Sequence, residues 1–190
     1  MLNLIIVFVL LIIAAGLAAY FVIIYNGLVR VAKNVDKAWS NIGVLLKQRH
    51  DEIPKLIKVC EGYMKYEKDT LEKITRARTA AMSARNVEES GKAEQSLSGL
   101  LRGLFAVAEN YPELKTSRHF SELQRRISYL ESQIADRREF YNDSVNAHNI
   151  RIEQIPDLFV ARMRNMRPRT LFETGREDKK DVNISFQFPE

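Results

Sequence analysis

The sequence of 190 residues contains a single cysteine, Cys60, and its three histidines are too far apart for two of them to share one helical turn. A single cysteine cannot form an internal disulfide, and it excludes redox and zinc sites of the C-x-x-C type. The motifs H-E-x-x-H, G-x-x-x-x-G-K-[ST] and G-x-S-x-G are also missing. Because these signatures of catalytic and metal sites are lacking, we predict that the protein is not an enzyme and holds no metal or cofactor.

Charged residues are missing from the first 29 positions, although they make up 28% of the whole chain. Within this stretch, Leu4 to Ile24 is an uninterrupted apolar run. As a helix rising about 1.5 Å per residue it would extend about 30 Å, the thickness of the hydrocarbon core of a membrane. A cleaved signal peptide would carry basic residues before a shorter apolar run, but no basic residue precedes the run in this sequence. We therefore predict a transmembrane anchor over residues 1–29.

The basic residues near the anchor indicate its orientation. None precedes the apolar run, whereas Arg30, Lys33 and Lys37 follow it closely. The positive-inside rule then places the C-terminal domain in the cytoplasm, on a single-pass protein of the inner (cytoplasmic) membrane that contacts lipid through its anchor. The net charge of +5 is modest and no aromatic-basic recognition motif accompanies it, so we expect no nucleic-acid binding.

An apolar stripe in steps of three and four follows the anchor, which is the pattern of a helix seam. The stripe consists of Leu28, Val31, Val35, Ala38, Ile42 and Leu45. Trp39 lies beside it and should widen the buried face. We expect this helix to end near Asp51, because Pro54 lacks an N–H group and clashes with the preceding turn, and we expect a second helix to begin there.

Further helices are predicted from the periodicity of the remaining chain. We expect a loop around Ser90 and Gly91, a third helix that ends before Pro112, and a long fourth helix over about residues 117–154 that ends at Pro156, with a short turn after it. The predicted fold is all-α. It comprises an N-terminal transmembrane helix continuous with a cytoplasmic antiparallel bundle of about four long helices over residues 30–172, followed by a β-like tail.

Residues 173–190 are predicted to be a charged linker and a C-terminal tail. Val182, Ile184, Phe186 and Phe188 alternate with polar neighbours, which is the period of a strand. No partner strand is evident in a helical chain, so we expect pairing with the same segment of an adjacent subunit. A tail without order is the alternative.

Four arginines, Arg162, Arg164, Arg167 and Arg169, lie close together with no acidic residue among them. Their mutual repulsion should be offset by anionic lipid headgroups or by acidic faces of a neighbouring subunit, and we favour the neighbour.

Two Tyr-Asn pairs, Tyr25-Asn26 and Tyr141-Asn142, each stand shortly before a valine. If both turn inward, the asparagine amides could bridge helices and fix their register, and we favour this structural role over ligand binding.

Many spaced residues match one known family. They are Tyr25, Asn26, Leu28, Val29, Asn34, Val35, Ala38, Trp39, Leu46, Lys47, Arg49, Asp51, Ile53, Pro54, Ala77, Arg78, Ala108, Glu109, Tyr111, Pro112, Leu114, Lys115, Phe120, Leu123, Ile134, Arg138, Tyr141, Asn142, Val145, Ile155 and Pro156. Through them the chain resembles the LemA family of bacterial membrane proteins from the anchor to Glu173. The resemblance implies an N-terminal anchor and a cytoplasmic antiparallel helical domain, and it implies no defined biochemical activity.

Two functions are compatible with an anchored helical rod that has several amphipathic faces. The first is a scaffold that self-associates into a homo-oligomer beneath the membrane. The alternative is a monomeric or dimeric signalling adaptor or sensor that recruits a cytoplasmic protein through a groove between helices. The sequence does not identify such a protein partner.

Overall fold

A computed structural model describes residues 1–172, and these residues form helices and no strand. The helices are α1 (Leu2–Glu61), α2 (Lys68–Ser83), α3 (Val87–Ala108), α4 (Pro112–Lys115), α5 (Arg118–Glu153) and α6 (Asp157–Met163). The all-helical fold class is thereby confirmed for this part of the chain. The charged linker and the predicted strand through Val182, Ile184, Phe186 and Phe188 lie outside the described residues.

Helix α1 is unbroken over its 60 residues, so the prediction that a first helix ends near Asp51 is wrong. Pro54 lies inside α1 and is exposed. A proline inside a helix costs about 3 kcal/mol, but each large apolar side chain buried in the same seam, such as Ile53 or Leu56, contributes roughly 1.5–3 kcal/mol. The seam continues through the proline without a change of register. Its buried members are Ile24, Leu28, Val35, Ala38, Ile42, Leu46, Arg49, Ile53, Leu56 and Cys60.

The N-terminal part of α1 is exposed along its whole length, from residue 1 to residue 23. Among the described residues, α1 is also the helix that is long and apolar enough to cross a membrane. Apolar surface of this extent is unfavourable in water, whereas a helix satisfies all its backbone hydrogen bonds within lipid. This part of α1 is therefore a candidate membrane anchor.

The chain divides into two compact units. The first consists of Met1–Glu52 with Arg125–Leu171, and the second of Ile53–Gln124 with Phe172. In the first unit α1 and α5 run antiparallel, because their contacts pair low numbers on α1 with high numbers on α5. The pairs are Glu52 with Arg126, Arg49 with Glu131, and Trp39 with Tyr141.

In the second unit α2 and α3 pack against each other. Helix α3 already begins at Val87, so the prediction of a loop around Ser90 and Gly91 is wrong. Both residues are buried within α3, where their small size suits a packed helix face. A capping box fixes the start of α3, since Asn86 Oδ1 accepts from the Glu89 N–H at 2.8 Å and Asn86 Nδ2 donates to Glu89 Oε1 at 2.7 Å.

The other predicted boundaries agree closely with the structure. Helix α3 ends at Ala108, four residues before Pro112, and the long helix predicted over about 117–154 is α5, Arg118–Glu153. Pro156 separates α5 from the short helix α6, which is the predicted turn. The ends of α3 and α5 were readable because each is followed by a proline and by a change of periodicity.

Candidate functional site

The candidate site is the region of the first unit where α1 leaves its apolar run. Buried side chains from three helices meet there, and we call them the neck cluster: Ile24, Leu28, Ile152, Val160 and Ala161. Tyr25 and Met166 are partly buried and pack against this cluster. Because Ile24 is the last residue of the apolar run, the neck cluster attaches the end of α5 and all of α6 to the base of the candidate anchor.

Gly27 faces the end of α5 at a point where a side chain would displace the Arg151 guanidinium. A Cβ atom at this position would lie 2.9 Å from the guanidinium carbon Cζ of Arg151. Arg151 is held in place by α6, since its Nε donates to Asp157 Oδ2 at 2.6 Å and the Asp157 side chain is only 13% exposed. A shielded, charge-assisted pair of this kind keeps the guanidinium against the backbone of α1.

Helix α6 ends in a Schellman motif that turns the chain back towards α1. The Asn165 N–H donates to the carbonyl of Arg162 and the Met166 N–H donates to that of Ala161, each at 3.0 Å. Asn165 adopts a left-handed conformation with φ of 51°, which asparagine tolerates better than most residues. Met166 is thereby placed on the neck cluster, and the Arg164 guanidinium lies over the Tyr25 ring, 5.2 Å from its centroid.

Residues 164–171, which we call the strap, are tied to α5 by hydrogen bonds. The Asn149 side chain makes a reciprocal pair with the backbone of Arg169, because Oδ1 accepts from its N–H at 2.8 Å and Nδ2 donates to its carbonyl at 3.0 Å. About two turns earlier on α5, the Tyr141 hydroxyl donates to the Thr170 carbonyl at 2.9 Å. An extended segment without its own ladder thus has its backbone groups satisfied by side chains.

Tyr141 is also the point where the strap, α1 and α5 meet. Its ring is buried and packs on the ring of Trp39, with centroids 5.6 Å apart and an interplanar angle of 54°. Arg169 Nη2 lies 3.4 Å from Asp36 Oδ1 on α1. Burial raises the pKa of the Tyr141 phenol, and of the two nearby charges Arg169 opposes this rise while Asp36 adds to it. The neutral, hydrogen-bond-donating form of Tyr141 is therefore the stable one.

Further along the same helices, two ion pairs of opposite sense join α1 to α5. Arg49 is 1% exposed and its Nη1 lies 3.8 Å from Glu131 Oε1. Glu52 is equally shielded, and Arg126 Nη2 lies 3.2 Å from its Oε1. Because each helix supplies one cation and one anion, a shift of α5 along α1 would oppose like charges. These pairs fix the register of the two helices.

The four predicted arginines have different surroundings. All are exposed, but Arg164 lies on Tyr25 and Arg169 contacts Asp36 and Asn149 of the same chain. Arg162, in the last turn of α6, and Arg167, in the strap, are exposed.

The two Tyr-Asn pairs also differ from each other. Tyr141 is buried and Asn142 is half-buried, whereas Asn26 is exposed. The condition for the proposed bridging role, that both asparagines turn inward, is therefore not met by Asn26. It stands two residues from both Ile24 and Leu28, which places it on the opposite side of the helix from the seam.

Concave surfaces occur in both units of the described chain. A cavity of about 220 Å³ lies between α1 and the strap, where Tyr25, Lys33, Arg164 and Arg169 are among its lining residues. A larger groove of about 590 Å³ lies in the second unit between the end of α1 and α2. Apolar Ile57, Met64 and Leu71 line its floor, and charged residues that include Glu61, Lys65, Lys68 and Glu72 surround them.

Among residues 1–172 no three His, Cys, Asp or Glu side chains are grouped as metal ligands. The absence of a metal or cofactor stays a prediction.

Sequence reasoning did not single out Gly27, Asn149, Asp157 or Asn165. Asn149 binds the backbone of Arg169 and Asp157 binds the side chain of Arg151. Neither contact repeats with the period of a helix, so the sequence pattern does not mark these residues. Asn165 could have been found, because asparagine shortly after a short apolar helix is a recognised C-terminal signal.

Comparison with known proteins gives one consistent result. The sequence profile of the LemA family matches residues 38–186. The Protein LemA of Metamycoplasma hominis (strain ATCC 23114) is 28% identical over 173 residues, which cover 87% of this chain and 77% of that protein. The matched region includes Trp39, Pro54, Tyr141, Asn142 and Pro156, on which the resemblance in the sequence rested in part. The chain belongs to the LemA family.

Proposed function

We propose that the protein is a membrane-anchored helical scaffold that self-associates into an oligomer at the inner membrane and has no catalytic activity. In this proposal residues 4–24 span the membrane and the basic residues after them keep the helical domain in the cytoplasm. The continuity of α1 supports the anchored part, because a helix without a break couples the domain stiffly to its anchor.

The exposed apolar side chains on the outer face of α5 support the proposal of self-association. Tyr129, Phe140 and Ile150 are 62%, 54% and 56% exposed, and their spacing of eleven and ten residues keeps them on one side of the helix. Large apolar side chains that recur along one exposed face favour association with another protein surface. Since a homo-oligomer offers the same face on each copy, packing of these faces would bury all three side chains. An antiparallel bundle of four long helices and a tail strand that pairs between subunits complete the proposed assembly.

The native mass of the full-length protein in detergent tests this proposal. Light scattering, with the detergent contribution subtracted, should give a mass of several chains. The triple variant Tyr129→Ser, Phe140→Ser, Ile150→Ser should give a lower mass at unchanged helical content. A matched control is Tyr66→Ser with Met82→Ser, which removes exposed apolar side chains from the second unit. A monomeric wild-type particle would overturn the scaffold.

The groove of the second unit favours a second candidate, a signalling adaptor. Its apolar floor of Ile57, Met64 and Leu71 with a charged border is the kind of surface that accepts the apolar face of a partner helix. A photocrosslinking amino acid at the exposed Glu72 on the groove border should then capture one foreign protein in stoichiometric amount in cells. The same group at the exposed Met82, on the same helix, serves as the control. Capture of the protein's own copies alone would argue against the adaptor.

A further inference from the structure

We propose that α6 is a second membrane contact, whose outer face enters the headgroup region of the membrane spanned by residues 4–24 and binds anionic phospholipid. This inference rests on the anchoring part of the proposed function, and it adds a lipid-binding surface outside the anchor. The surface consists of Ile155, Phe159 and Met163 with the flanking Arg162 and Arg167.

The two sides of α6 have different environments. Val160 and Ala161 are buried in the neck cluster. Phe159 and Met163 stand one helical turn apart on the other side and are 60% and 71% exposed, and Ile155, just before the helix, is 75% exposed. Three large apolar side chains in a segment of nine residues are thus left in contact with the surroundings.

The depth of this surface follows from the contacts of its buried side. Val160 and Ala161 pack with Ile24 and Leu28, and Ile24 is the last residue of the apolar run. From Ile24 to Leu28 α1 rises about 6 Å. If the run fills the hydrocarbon core, α6 therefore lies at the boundary between acyl chains and headgroups, where amphipathic segments bind with their apolar side chains inserted.

The charges of the segment complement an anionic leaflet. Arg162 and Arg167 are exposed, and Asp157 is the single acidic residue between positions 154 and 172. Its charge is compensated by Arg151 at 2.6 Å. Arginine suits the boundary between acyl chains and headgroups, because its aliphatic stem can lie along apolar surface while the guanidinium binds phosphate oxygens.

A membrane suits this surface better than a second protein. Two or three apolar side chains on a seven-residue helix are too small a patch for a stable protein interface. Insertion into lipid needs no matching shape, and the anchor already holds the surface at the membrane. Because the anchor keeps the α6 surface close to the lipid at a high effective concentration, this surface would be occupied by lipid even if its intrinsic affinity is weak.

Fluorescence quenching in nanodiscs tests the contact on the full-length chain. An environment-sensitive label is placed on Phe159→Cys, and doxyl-labelled lipid serves as the quencher. A label on Val44→Cys, exposed on α1 twenty residues beyond Ile24 and so about 30 Å along the helix, is the control that should stay in water. We expect quenching at position 159 to exceed that at position 44 about threefold. Equal quenching at both positions would overturn the inference.

A third label on Ile12→Cys separates this inference from the proposed function. Strong quenching at position 12 without quenching at 159 keeps the anchor and rejects the α6 contact. No quenching at position 12 rejects the anchor itself. A label at 159 that is shielded in detergent as well, and insensitive to doxyl lipid, would identify a protein contact and overturn the lipid assignment.

The role of charge is tested by lipid composition. Quenching at 159 should rise when phosphatidylglycerol replaces part of the phosphatidylcholine. Arg162→Gln with Arg167→Gln should abolish this rise and leave quenching at position 12 unchanged. Arg125→Gln with Arg137→Gln removes two exposed arginines of α5 and should preserve the rise. A rise that persists in the first double variant would exclude these arginines as the lipid ligands.

Discussion

At the scale of single residues, Trp39 shows how an aromatic side chain can matter without being deeply buried. Its indole is half-buried and packs on the buried ring of Tyr141, which also binds the strap. The contact therefore supports α1, α5 and the strap together. The full 3–5 kcal/mol of a buried tryptophan is not expected, because part of the residue remains in contact with solvent.

Replacement of this indole tests the contact. Trp39→Ala should lower the free energy of unfolding by about 2 kcal/mol, from lost apolar burial and the lost ring pair. Trp39→Phe keeps a ring opposite Tyr141 and should cost less than half as much. Urea unfolding followed by circular dichroism measures both values. A Trp39→Ala protein as stable as the wild type would show that the ring pair contributes nothing.

Burial of Cys60 makes the stability of the second unit depend on pH. Cys60 is fully buried, and burial raises the pKa of its thiol from the ordinary 9.0 to about 11. Because the pKa is raised in the folded state, the stability contributed by the neutral thiol is fully present below pH 9 and is lost as the pH rises through about 11.

Two measurements check this behaviour. At pH 8 Ellman's reagent should react with native Cys60 far more slowly than with the urea-unfolded chain. The Cys60→Ala variant should lose less stability than the wild type between pH 9 and pH 11, by at most roughly 3 kcal/mol. Tyr141, whose phenol also has a raised pKa, is retained in both proteins, so its contribution at high pH cancels in the comparison. Rapid reaction of the native thiol would contradict its burial.

At the scale of elements, the periodicity of the sequence predicted α5 to within a residue or two because a proline and a sustained apolar period both mark it. The same reasoning failed at Pro54 because a proline was expected to end the helix, whereas burial of Ile53 and Leu56 in one continuous seam outweighs its cost. It failed at the start of α3 because Ser90 and Gly91 resemble a loop, although the Asn86-x-x-Glu89 capping box was visible. The strap was not predictable, since its contacts join residues about 20 and 30 positions apart.

The attachment of the strap is an element-scale prediction. Asn149→Ala removes both hydrogen bonds to the Arg169 backbone and should cost about 1–2 kcal/mol locally. Trypsin should then cleave after Arg164 and Arg169 several-fold faster, while the Arg167–Pro168 bond resists in all variants. Asn146→Ala, at an exposed position of the same helix, should leave the cleavage rate unchanged. Equal rates in the two variants would mean that Asn149 does not hold the strap.

At the scale of the whole molecule, the single helix α1 combines two parts with different surfaces. The first 23 residues of the chain expose apolar side chains all round, and from Ile24 onwards a single buried seam takes their place. The change occurs less than two turns before Arg30, the first charged residue. Composition therefore sufficed to predict the candidate anchor, whereas the neck cluster needed the three-dimensional structure, because Gly27 and Asp157 meet at Arg151 from opposite ends of the chain.

The last prediction concerns the C-terminal tail, which lies outside the described residues and is predicted from its alternating pattern alone. An unpaired strand that exposes Phe186 and Phe188 is unfavourable, so the segment should find a partner, and the equivalent segment of an adjacent subunit offers a matching pattern. Deletion of residues 182–190 should then reduce the mass of the detergent-solubilised particle and leave the helical signal in circular dichroism intact. Replacement of Val182, Ile184, Phe186 and Phe188 by serine keeps the length of the tail and should have the same effect, because it removes the apolar face but not the chain. A particle of unchanged mass in both variants would exclude the tail from assembly and leave the outer face of α5 as the surface that holds the subunits together.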